Sequence, residues 1–116
     1  MNDVPYPDVY FSRQDESDDA LFYASARKVV HMDDAAIALL RDSVFAKTLP
    51  AEASILDLMS SWRSHLPPAL SPQRVVGVGM NAEEMTDNPQ LSEYRVHDLN
   101  ADPTLDFADA TFDAAV

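Results

Sequence analysis

Three short segments of the chain combine polar side chains with positions at the ends of apolar runs. They are Asp57 to Ser61, Gly79 to Asn81, and His97 to Asn100. An acid inside an apolar strand is costly unless it is paired. Asp57, inside ILDLM, is therefore either a ligand contact near a strand end or a structural acid capping the loop that follows. Asp57 and Gly79 lie 22 positions apart, close to the interval of about 20 at which a nucleotide-binding βαβ unit presents its ribose contact. Ser60 and Ser61 read as ligand contacts or as turn residues bonding their own backbone, and Trp62 reads as packing. Glu83 and Glu84, with Asp87, read as the solvated face of a short helix. No pair of His31, His65 and His97 has the close spacing of a metal site such as HExxH. There is no cysteine, no GxxxxGK[ST] loop and no GxSxG elbow, which removes thiol chemistry, nucleotide triphosphatase and esterase readings.

The elements that must carry these segments alternate between helical and strand patterns. The first twenty residues read as an irregular acidic arm, and DALFYASARKVV as a short helix from Asp19 to Val30 that buries Leu21 and Phe22. Ile37, Leu40 and Val44 recur at helical spacing, with Asp33 and Asp34 before them and Lys47 and Pro50 after. This predicts a helix over about 34–47 with an apolar face for a sheet. ILDLM and the Val-rich RVVGVGM predict two strands, and the roughly fifteen residues between them suit a parallel crossover rather than a hairpin. A helix over about 82–87, a third strand in SEYRVHDL and a fourth begun by TFDAAV complete the reading. The fold class expected is α/β, with residues 21–116 as one unit. Ligands in such folds sit beyond the carboxyl ends of the strands.

With 8 Lys and Arg against 20 Asp and Glu, the chain carries a formal net charge of -12, a field that repels phosphates and anionic surfaces. Direct binding to nucleic acid or to membrane lipid is not expected. The start of the chain lacks a signal pattern and no run is long enough to span a bilayer, so a soluble, cytoplasmic protein is expected.

Taken in order, ILDLMSSWRSHLP, VVGVGMNAEEM, NPQLSEYRVHDLN and LDFADATFDAAV resemble a branch of the class I S-adenosylmethionine-dependent methyltransferases, the type 11-like branch. RKVVHMDDAAIALL resembles the helix before its first strand. The resemblance covers about residues 22–116 and implies a doubly wound, Rossmann-like parallel sheet, cut after about the fourth of some seven strands. It implies S-adenosylmethionine as cofactor, with a small-molecule or unknown methyl acceptor. Asp57, Met59, Ser60 and Ser61 would surround the methionine and sugar portions, Gly79, Met80 and Asn81 the ribose and adenine, and Asp98 and Leu99 the adenine edge. His31 would approach the mouth of the site, while Asp33 is equally an N-cap.

Two departures stand out. MSSW has no glycine where the family has a glycine-rich loop, and Gly79 stands where the family has an acid holding both ribose hydroxyls. Asn81 or Glu83 is the substitute expected for that acid, and Gly79→Asp is expected to tighten binding. The same departures support an alternative, a non-catalytic methyltransferase-like interaction or scaffold protein. The segment FDAAV, at a sheet edge and with little charge, is expected to favour self-association.

Overall fold

The computed structural model describes residues 5–116. Its centre is a four-stranded, all-parallel sheet of β1 (Ser54–Leu58), β2 (Arg74–Gly79), β3 (Glu93–Val96) and β4 (Ala114–Ala115), in the order β3-β2-β1-β4. The α/β class and the parallel pairing of β1 with β2 agree with the reading of the sequence. Register sets Asp57 beside Gly77 and Leu58 beside Val78, so the loops after β1 and β2 leave the sheet side by side.

Side chains alternate across a strand, and the sheet therefore has two distinct faces. One carries Ile55, Val75 and, further along, Asp57, Gly77 and Gly79; Ala53, Ile55, Val75 and Leu66 form its buried cluster, with Phe45, Leu49 and Leu91 packed against it. The other carries Leu56, Val76 and Val78, covered by Phe107 and Phe112. Ile55 and Val76 are both 0% exposed, and full burial of such a side chain contributes about 1.5–3 kcal/mol.

Helices form where capping and apolar spacing coincide. Asp33 caps the helix that begins with α2 (Asp34–Leu39), accepting from the Ala36 N–H at 2.7 Å. The helix continues through a π-helical segment, Leu40–Phe45, into α3 (Ala46–Thr48). Its expected apolar face meets the sheet only near its end. Phe45 and the following Leu49 pack there, whereas Leu39 and Val44 remain exposed. Asp18 caps α1 through the Ala20 N–H. This helix is only Asp19–Phe22, not Asp19–Val30. Leu21 is 73% exposed and Phe22 49%, so no apolar partner sustains further turns. The short helix expected over about 82–87 is present as α4 (Ala82–Thr86), which packs beside β2 and β3 with Met85 buried.

Before α1, the described part of the expected arm contains a 3-10 turn, Asp8–Phe11, with Val9, Tyr10 and Phe11 exposed. Residues 1–4 of that arm lie outside the described residues. The links from β1 to β2 and from β3 to β4 contain no helix. Among the described residues no helix is long and apolar enough to cross a membrane.

Candidate functional site

The loop after β1 is built on Asp57. Its Oδ2 accepts from Ser60 Oγ at 2.8 Å and Ser64 Oγ at 2.6 Å. Asn88 then donates from Nδ2 to Ser64 Oγ at 2.8 Å and to the Ser61 carbonyl at 2.9 Å. Burial pushes the Asp57 carboxyl above the usual carboxylate range, while the Ser64 and Ser60 bonds and the nearby His65 oppose that rise. Asp57 thus braces a loop from beneath, which is the structural alternative read from the sequence. Unlike the other eight residues expected at the site, it does not line the cavity above.

The same loop shows how a chain with few glycines makes the turn. Met59 takes a left-handed backbone, φ 51°, a conformation that costs a side-chain-bearing residue roughly 1–2 kcal/mol. Its side chain projects outward, 84% exposed. The next residue is pinned, with the Ser60 N–H donating to the Val78 carbonyl at 2.8 Å. The Ser60 carbonyl oxygen then lies only 2.3 Å from where a Cβ on Gly79 would stand. The expected benefit of Gly79→Asp is overturned by this contact, since any side chain at Gly79 meets backbone that cannot yield without moving the loop. Glycine is needed here for close approach of two segments of the chain.

After β2, Asn81 caps α4 through Oδ1, which accepts from the Glu84 N–H at 3.0 Å, and its Nδ2 donates to the Tyr23 carbonyl at 3.0 Å. Both ends of the amide are engaged. Glu84 departs from its expected place on a solvated face: it is 7% exposed, and its Oε1 accepts from Ser61 Oγ at 2.8 Å. Glu83 and Asp87 do face outward, paired with Lys28 at 3.5 and 2.5 Å. Helical period explains the split, because one turn of α4 presents adjacent glutamates to different sides.

After β3, the His97 N–H donates to the Gly79 carbonyl at 2.8 Å, holding this loop to β2. Asp98 accepts from the Asn100 N–H at 2.9 Å, and Asn100 reaches back to Asp19 at 2.8 Å.

These loops enclose a cavity of about 650 Å³ over the carboxyl edge of the sheet. Met59, Ser60, Ser61, Gly79, Met80, Asn81, Asp98 and Leu99 all line it, as does His31. Its outer wall comes from the segment after α1, including Tyr23, Val29 and Val30. Trp62 ties that wall down by donating from Nε1 to the Val29 carbonyl at 2.9 Å, so its ring serves the site as well as packing. Sequence reasoning missed most of this wall, together with Ser64, Asn88 and Glu84. All join the site through long-range contacts that leave no local pattern. Among the described residues no group of three or more His, Asp or Glu could hold a metal ion.

No family model matches the chain, and neither does any curated protein or solved structure. The functional reading therefore rests on the geometry and on the motifs.

Proposed function

We propose that this chain is the S-adenosylmethionine-binding part of a methyltransferase that transfers a methyl group to an unidentified acceptor, on a doubly wound, Rossmann-like sheet. One observation carries the reading. Eight of the nine residues at which the motifs led us to expect cofactor contacts, scattered from Met59 to Leu99, line one cavity at the carboxyl edge of parallel strands, where such folds bind ligands. Met80 and Leu99 offer apolar surface for a ring, and Asp98 an acceptor for an exocyclic amine. The net charge of -12 favours a sulfonium cation. Transfer from that cation needs alignment of nucleophile, methyl carbon and sulfur more than acid-base help.

Calorimetry with S-adenosylmethionine and S-adenosylhomocysteine tests the proposal. Heat of binding is expected, and Asp98→Ala should weaken it by about 1–3 kcal/mol for loss of a charged hydrogen-bonding partner. A folded chain giving no heat at ligand concentrations of about 1 mM, a detection limit near -4 kcal/mol, would favour the second reading, a non-catalytic interaction protein. That reading draws on the missing carboxylate at Gly79, where a side chain would press on the Ser60 backbone.

A further inference from the structure

Glu84 is the acid of α4 that no described cation satisfies. Glu83, on the same short helix, and Asp87, its C-cap, pair with Lys28. Glu84 lines the cavity instead, 7% exposed. Its Oε1 is taken by Ser61 Oγ at 2.8 Å, and Oε2 has no protein donor among the described residues. Every fully buried side-chain oxygen or nitrogen among those residues has a hydrogen-bond partner. Oε2 therefore keeps some exposure, and the cavity is the space that Glu84 borders.

The carboxylate is also held in place before any ligand arrives. Asn81 fixes the Glu84 backbone N–H at 3.0 Å, and Asn88 fixes the loop that carries Ser61 at 2.9 Å. A nearly buried carboxylate with a free oxygen is an acceptor waiting for a donor, since an ionised carboxyl group can only accept. Leaving such a group unmatched costs free energy that a ligand's donors would recover.

The order of the strands indicates which donors. Met80 follows β2 and Leu99 follows β3, and both line the cavity; Glu84 and Ser61 meet one strand further along, between the ends of β2 and β1. A ring packed on Met80 and Leu99 would leave the sugar attached to it within the same cavity that Glu84 borders. A vicinal diol presents two O–H donors on adjacent carbons, which suits a single anchored carboxylate. The strand end itself has no room for such an acid, because a Cβ on Gly79 would stand 2.3 Å from the Ser60 carbonyl oxygen.

We infer that Glu84, presented by α4 and anchored by Ser61, is the carboxylate that accepts from the sugar hydroxyls of a nucleoside bound in this cavity. The inference rests on the cofactor reading proposed above and assigns its sugar contact to the helix rather than to the strand.

A cycle of two proteins and two ligands tests it on the full chain. Binding of S-adenosylhomocysteine and of its 2′,3′-dideoxy analogue is measured for the wild type and for Glu84→Gln, which keeps an oxygen for Ser61. With the diol present, the substitution should weaken binding about tenfold or more, the scale of a hydrogen bond to a charged group. With the diol absent, it should change binding less than about threefold, because the partner of Glu84 is then missing. Equal losses for both ligands would overturn the inference while leaving the cofactor reading intact, because Glu84 would then act on another part of the ligand or only through the loop. A wild type that binds the two ligands equally well would also overturn it, whatever the stability of the variant. A wild type that binds neither would remove the cofactor reading and this inference together.

Discussion

The two faces of one sheet solve different problems with alternate residues of the same strands. On the face of Ile55 and Val75, the apolar cluster gives way toward the carboxyl edge to Asp57, Gly77 and Gly79, one acid and two residues without side chains. That face receives Phe45, Leu49 and Leu91, and at its edge the loop after β1 and helix α4 crowd in. On the other face Leu56, Val76 and Val78 are aliphatic throughout. Their cover is a pair of rings from the link before β4, Phe107 and Phe112, edge to face at 4.9 Å, with Arg95 stacked on Phe107 at 4.0 Å. The first face yields part of its apolar area to build a site. The second only excludes water.

The largest expected effects separate core from cover. Ile55→Ala should cost about 2–5 kcal/mol, as for a fully buried large-to-small change. Phe107→Ala, on the thinly covered face, should cost about 1–2 kcal/mol, mostly a lost aromatic pair and partial burial. Chemical denaturation of both variants measures the difference, and equal losses would mean that the ring cover is as structural as the main core.

A smaller effect divides the two glycines at the site. Gly79→Ala should destabilise by about 1–3 kcal/mol, the range for overpacking, because its Cβ meets the Ser60 backbone. Gly77→Ala should cost less. Its Cβ meets side chains rather than backbone, the end of Leu91 at 2.7 Å, which can rotate away, and Ser60 Oγ at 2.9 Å, whose displacement strains only its bond to Asp57. Thermal melts of the pair would contradict this account of the site if Gly77→Ala proved the more damaging.

The smallest expected effect is a pH dependence from Asp57. Burial raises its pKa in the folded chain, so the folded chain holds that proton more tightly than the unfolded chain does. Its contribution to stability is present in acid and is lost as pH rises through the folded pKa. Asp57→Asn keeps an oxygen for Ser60 and Ser64 but does not ionise. The stability of the wild type relative to this variant should therefore fall as pH rises through the carboxylate range. Asp19, held below that range by its bond to Arg13, titrates alike in both proteins and cancels. Urea titrations across that range measure the trend, and a flat difference would mean that Asp57 does not feel its burial.

Much of this architecture was legible in the sequence. Val-rich runs separated by crossover-length links demand parallel strands, and the N-cap acid Asp33 lies where capping predicts. The eight loop residues that share the cavity lie in three segments that end strands, and a parallel sheet delivers every strand end to one edge. Such features depend on local spacing and on backbone hydrogen bonding, which a sequence carries in its periodicity. Tertiary contacts alone decided the rest. The shortness of α1 follows from the lack of a packing partner for Leu21, and the role of Asp57 from serines three and seven residues away that fold back onto it. The need for glycine at position 79 comes from a carbonyl 19 residues earlier in the chain. Which of two adjacent glutamates faces the cavity depends on how α4 is rotated against the loop after β1. Such outcomes turn on distances of a few tenths of an ångström between segments far apart in the chain, and a residue pattern does not encode those distances.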